Sequence, residues 1–228
     1  MPQTKHSHQN ALSEGQFDEL FEATSTLRQP FDVECRLMLV AAGRLGMRAG
    51  EIVHMQEHWV DWEKSLIEIP SYEPCQKGRD GGPCGNCNVN SKQELSFIDE
   101  EEDVTLEEVI ATRWKPKTSN SARAIPFDFN SRVEETIEEF FFFNDIVDFY
   151  RQTANRRVNR VLEAAGFPTS MCYPHALRAT AATYHAYRGV APVALQSMFG
   201  WADLGVAQKY IRLSGGATSK ALKEAHGD

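Results

Sequence analysis

The stretch that most limits what this chain can become runs from Tyr173 to Ser214, YPHALRATAATYHAYRGVAPVALQSMFGWADLGVAQKYIRLS. Chemically able side chains recur in it at spacings that helices bring together. His175 and Arg178 lie three apart and therefore share one helical face. Trp201 follows a glycine at a position that reads as a helix start, and Tyr210 comes nine residues later inside QKYIRLS. Each residue also has an ordinary reading: His175 as a satisfied buried histidine, Arg178 as the partner of an acid, Tyr210 as packing. Their order and spacing together set the problem for the rest of the chain.

A chain of 228 residues with 42% hydrophobic content has room for one sizeable core. The longest apolar runs, Leu37 to Ala42 and Phe140 to Phe143, are far too short to cross a bilayer, and MPQTKHSHQN contains no apolar signal region. A soluble, cytoplasmic protein with no membrane partner is expected. Five cysteines, three of them clustered, argue for reduced thiols rather than a disulfide scaffold. The net charge of −8 weighs against nucleic acid as a partner. Acidic residues are bunched, however, at Asp99–Asp103, Glu107–Glu108 and Glu134 to Glu139, while arginines gather between Arg151 and Arg160 and around Arg178, so a basic face on an acidic protein is expected. Fifteen arginines against nine lysines on an acidic chain resembles the composition of proteins from salt-loving organisms, whose carboxylate surfaces aid solubility.

Residues 1–13 are polar and aperiodic and read as a disordered tail, leaving 14–228 as the folded domain. Phe17, Leu20, Phe21 and Ala23 repeat at helical spacing, and a second apolar helix is expected from about Val33 to Leu45. GRLGMRAGEIVHM then places Arg48 after a glycine turn at the start of another helix, with Glu51 one turn on. By spacing alone the two are a surface i, i+3 pair. WVDWEKSLIEIP and Ala124–Phe127 read as short strands, the latter entered through the turn Lys117 to Arg123.

Between those strands lies an insertion of about residues 71–113 that opens with a cysteine-rich run. Cys84 and Cys87 form a C-x2-C knuckle, and Cys75 sits nine residues upstream. The spacing and its glycines suit thiolate coordination of a structural zinc, with His54, His58 or Cys172 as the fourth ligand; unligated thiols are the other reading. The remainder of the insertion is acidic and reads as a solvated loop and helix. Ser131 to Tyr150 has helical spacing with four phenylalanines spanning core and surface, and Arg151 to Ala165 is an amphipathic helix with Val158, Val161 and Leu162 inward. Its arginines are either phosphate contacts or a solvated face.

Together these motifs resemble the catalytic domain of the tyrosine recombinase (phage integrase) family. PHALR carries the family's H-x-x-R, Gly200-Trp201 its G-[HW], and Tyr210 stands at its tyrosine; GRLGMRAGEI resembles T-G-x-R-x-x-E-[IL], and PKTSNSARAIP resembles the hairpin T-K-T-x-x-S-x-R-x-[IV]-P. The resemblance covers about Glu14 to Ser214 and leaves out the helical DNA-clamping domain that family recombinases carry at the N-terminus. It implies an α+β fold, mainly α-helical, with a small antiparallel β-sheet. It also implies an enzyme that cleaves and rejoins DNA through a 3′-phosphotyrosyl intermediate, acting on double-stranded DNA as an assembly of four protomers, with no cofactor required for catalysis. The roles it implies are Tyr210 as nucleophile, Arg48 and Arg178 as phosphate clamps, Lys117 (with Lys115 as its rival) as acid for the leaving oxygen, His175 as an aid to proton removal from the tyrosine or as a phosphate contact, Trp201 as an N–H donor that cannot act as acid or base, and Glu51 as the orienting carboxylate. The alternative from another class is an integrase-derived DNA-binding module or regulator without strand exchange.

Overall fold

A computed structural model describes residues 10–99, 102–116 and 118–227, and in addition the side chains of Ser119, Ala217 and Lys220 lie outside the description. Lys117 and residues 1–9 are therefore not described. The chain is mainly helical, with one three-stranded antiparallel sheet among the described residues.

Helix α1 (Glu14–Ala23) is opened by a capping box in which the Ser13 hydroxyl accepts from the Gln16 N–H and the Gln16 side chain returns the bond. Leu12, which composition places in the tail, is buried, and its N–H donates to the Thr180 hydroxyl at 2.9 Å. Helix α2 (Phe31–Gly43) is buried from Leu37 to Gly43 without interruption. A helix apolar on every side needs neighbours on every side, and α2 packs against α6 (Ser131–Phe143), α7 (Arg151–Ala164) and α8 (Pro174–Tyr187). Helix α6 ends at Phe143, short of the expected Tyr150, which instead caps the start of α7. Phe140 and Phe141 are buried while Phe142 and Phe143 are exposed. On α7, Arg157 pairs with Glu34 and Arg160 stacks over Phe31, so these two basic residues serve packing.

The one-turn helix α3 (Ala49–Ile52) leads into the sheet of β1 (Val60–Asp61), β2 (Leu66–Ile69) and β3 (Arg123–Pro126). The register sets Ile67 opposite Ile125 and Ile69 opposite Arg123. Because strand side chains alternate, Arg123 shares the inward face of Ile125. Between β2 and β3 the insertion folds into α4 (Gly85–Leu95) and α5 (Leu106–Ala111), which pack on each other. Helices α9 (Pro192–Phe199) and α10 (Leu204–Ser214) join α8 around a second apolar cluster of Ala181, Ala182, Ala186, Leu195, Phe199 and Ala207, and α11 (Gly216–His226) closes the described chain. No described helix is long and apolar enough to cross a membrane.

Candidate functional site

Proline at the first position of α8 fits the fixed backbone angle of a helix start, and the alanines that follow let this helix lie close to α2. His175 sits exposed in the first turn of α8, and Arg178 one turn later is buried. The Arg178 guanidinium donates to the carbonyls of Gly46 and Phe199. Gly46 has a positive φ of 64°, and a Cβ there would stand 2.4 Å from the Phe199 ring, so this turn approaches the end of α9 only with glycine.

Arg48 caps the start of α3. It donates from its amide and its guanidinium to the two Glu51 oxygens at 2.8 and 2.7 Å, and further to the Ser121 hydroxyl at 2.8 Å and the Gly200 carbonyl at 3.3 Å. The Glu51 side chain is only 1% exposed and accepts two further bonds from Arg123, at 3.1 and 2.9 Å. Arg48 and Glu51 are thus part of a buried network and not a surface pair. Arg123 also donates to the Met198 and Ser121 carbonyls, each at 2.7 Å. Arg123 is a member of this network to which the sequence assigned no role: it stands in the quoted hairpin motif, and its two-residue spacing from Ile125 is the signal that it faces inward.

The Gly200-Trp201 pair ends a helix and does not begin one. Gly200 caps α9 in the left-handed region at φ 57°, and a Cβ there would meet the Asn120 carbonyl at 2.6 Å, so the 118–121 segment abuts it. The next helix starts at Leu204, where the Asp203 side chain caps the Gly205 N–H. Arg48 and Arg178 therefore hold the consecutive carbonyls of Gly200 and Phe199. Trp201 stacks between the Phe199 ring, at 4.5 Å, and the Tyr210 ring, at 5.4 Å and an interplanar angle of 1°. The structure brings together Arg48, Glu51, Arg178, Trp201 and Tyr210, with Arg123 and Ser121 added; Lys117 lies outside the described residues, and its rival Lys115 pairs with Glu94.

Two guanidiniums, those of Arg48 and Arg123, bond the Glu51 carboxylate, and the charge of Arg178 also acts on it. Burial pushes Arg178 down to about 9, with Arg48 and Arg123 adding to the effect and Glu51 and Tyr210 opposing it. Burial would raise Glu51, but Arg123, Arg178 and Arg48 hold it below the ordinary carboxylate range. The surplus of positive charge in a partly dry site suits a doubly liganded anion, and planar forks suit its oxygens.

On the other side of α3 lies a second constellation. His54, Cys75, Cys84 and Cys87 are all buried, and their ligand atoms lie within 4.8 Å of one another. His54 Nδ1 bonds the Gly50 carbonyl at 2.8 Å, which turns Nε2 toward the sulfurs, at 3.4 Å from Cys87 Sγ and 3.7 Å from Cys84 Sγ. Tetrahedral zinc with Zn–S near ~2.3 Å and Zn–N near ~2.05 Å sets N and S about 3.6 Å apart. The observed spacing fits a metal ion, and the Nδ1 bond to a carbonyl is the usual orientation device of a ligating histidine. The other two candidates lie elsewhere: His58 is exposed beside Glu73, and Cys172 is buried with its thiol pushed up to about 12 by burial.

The fold is that of solved tyrosine recombinase structures. A crystal structure of XerA recombinase superposes with a TM-score of 0.60 at 17% identity, covering 95% of this chain and 64% of that one. The Tn1549 transposon integrase in complex with transposon right end DNA gives 0.57 at 17% identity, covering 96% and 66%. The XerH site-specific recombinase bound to difH substrate gives 0.55 at 15% identity, covering 94% and 53%. This chain thus spans between about half and two thirds of each of those proteins. No curated protein sequence matches it. Residues 10–215 match the phage integrase family model, and the chain belongs to the phage integrase family.

Proposed function

We propose that this chain is the catalytic domain of a site-specific DNA recombinase, spanning 14–228 with an inserted segment at about 71–113. The observation that carries the reading is that Arg48 and Arg178 clasp the adjacent carbonyls of Gly200 and Phe199, immediately before the tryptophan that stacks on Tyr210. A scissile phosphate seated at the two guanidiniums lies beside the phenol. Tyr210 Oη forms a bond to phosphorus as the bond to the 5′ oxygen breaks, leaving a 3′-phosphotyrosyl link and a free 5′ hydroxyl. His175 takes the phenol proton, Lys117 gives one to the departing oxygen, and the Trp201 indole N–H donates to the phosphate. Arg48 and Arg178 neutralise the charge that builds on the equatorial oxygens. Glu51, held by Arg123, keeps Arg48 in place. Reversal of the same step by a 5′ hydroxyl from another strand rejoins the backbone without an external energy source, and an assembly of four protomers on double-stranded DNA brings the exchanging strands together.

The reaction itself requires no cofactor. A structural zinc on His54, Cys75, Cys84 and Cys87 is the metal that the donor set and its spacing favour. The function is tested by incubating the chain with nicked DNA carrying its own target site and resolving the products by denaturing electrophoresis. A slow-migrating protein–DNA adduct is expected; a chain that binds the site yet never forms one is an integrase-derived binding module.

A further inference from the structure

The turn that carries Arg48 and Glu51 is too short to hold itself. Helix α3 has four residues, and an isolated single turn is unfavourable in water because its nucleation cost is not repaid by propagation. Its N-terminal end is fixed by the Glu51 network. Its C-terminal end is held partly by the core, through buried Ile52, Val53 and Met55 and the Val147 N–H on the Met55 carbonyl, and partly by the insertion and the residue that follows it: His54 faces the three sulfurs, its ring stacks on Trp114 at 5.2 Å, and the Lys77 ammonium donates to the Val53 carbonyl while also capping the carbonyls of Val147 and Phe149. Lys77 lies between Cys75 and Cys84, so the segment that supplies the thiols supplies this cation as well.

We infer that the inserted segment is a metal-dependent positioning device for the strand-cleavage arginine, with His54 the positioning residue: metal held by Cys75, Cys84, Cys87 and His54 locks the C-terminal end of the Arg48–His54 turn and thereby fixes the Arg48 guanidinium at the phosphate. This rests on the recombinase reading for its functional half and on the geometry alone for its structural half. His54 follows Glu51 by three positions, so the ligand and the orienting carboxylate belong to one turn of backbone, in which the His54 N–H donates to the Glu51 carbonyl at 3.2 Å. When the metal leaves, the imidazole loses its bond to the sulfur cluster, and the C-terminal end of the turn is held less firmly than the end fixed by Glu51. Arg178, set in the long helix α8 and bonded to Gly46 and Phe199, does not depend on that end.

The test compares the zinc-loaded chain, the chelated chain and Cys84→Ser well below the unfolding midpoint. Backbone amide exchange is followed across 51–55, with α8 as internal reference, and single-turnover adduct formation on a nicked target is measured in parallel. On metal loss, the amides from Glu51 to Met55 are expected to exchange at least about tenfold faster while α8 keeps its protection. The adduct rate is expected to fall about a hundredfold at saturating DNA, the usual consequence of a small misplacement of a catalytic group, with DNA retention unchanged and the rate restored by added zinc. Unchanged exchange at 51–55 after proven metal loss overturns the inference, as does an equal loss of protection in α8, which would make the metal a support of the whole fold. A zinc-loaded chain that shows the local exchange response but forms no adduct overturns the recombinase reading and leaves the structural coupling standing.

Discussion

Replacing Arg123 with methionine keeps most of the side-chain volume and removes the charge and the donors. The Arg123 side chain is 4% exposed and that of Glu51 1%, so solvent screens their interaction little. The substitution deletes two bonds to the Glu51 carboxylate and one each to the carbonyls of Met198 and Ser121. Glu51 keeps Arg48, yet half of its charge-assisted bonds are gone. Removing one partner of a buried ion pair costs about 3–5 kcal/mol. At about 2–4 °C per kcal/mol for a chain of this length, the unfolding midpoint falls by about 6–20 °C. Arg188→Met is the control, since the Arg188–Glu14 pair is nearly half exposed and pairs of that kind are worth about 0–1 kcal/mol. A double mutant of Arg123→Met with Glu51→Gln should lose less than the sum of the two, because the stranded charge is removed with its partner. Denaturant unfolding of the four variants against the wild type measures the free energies, and thermal unfolding the midpoints. An Arg123→Met loss no larger than that of Arg188→Met would refute the claim that Arg123 holds Glu51.

Glu51 also sets an acid limb of stability. Its folded pKa is lowered, so its contribution is present above the ordinary glutamate pKa and is lost as pH falls through the folded value; Glu51→Gln should flatten that limb, and an unchanged acid profile contradicts the network. Metal analysis should find about one zinc per chain, with chelation lowering the unfolding temperature; a metal-free preparation of equal stability and freely titratable thiols would end the zinc assignment. DNA affinity of this chain, with its net charge of −8, should fall only shallowly with salt because few phosphates are neutralised; a steep slope like that of a large repressor would contradict it.

The sequence carried most of the fold because its helices are long enough to repeat an apolar face, and most of the site because Arg48, Arg178, Trp201 and Tyr210 sit in short motifs of fixed spacing. What it hid is long-range pairing. Arg123 closes the quoted hairpin turn with no role assigned to it; the register with Ile69 turns it inward beside Glu51. His54 stood among three candidate ligands, and only the path of the insertion back over α3 selects it. The Gly200-Trp201 pair read as a helix start because glycine is permitted at either end of a helix; its left-handed conformation and the abutting Asn120 carbonyl decide for the end. Leu12 read as tail because one apolar residue among polar ones has no period, although a single bond to Thr180 and a pocket suffice to hold it.

The account stands on which oxygen attacks the phosphate. Digesting the trapped protein–DNA adduct and identifying the nucleotide-bearing peptide by mass spectrometry reads this directly. The expected result is a 3′-linked nucleotide on Tyr210, with no adduct from Tyr210→Phe and undiminished DNA binding by that variant. A nucleotide on Tyr184 or Tyr187, or an adduct that survives Tyr210→Phe, would contradict it.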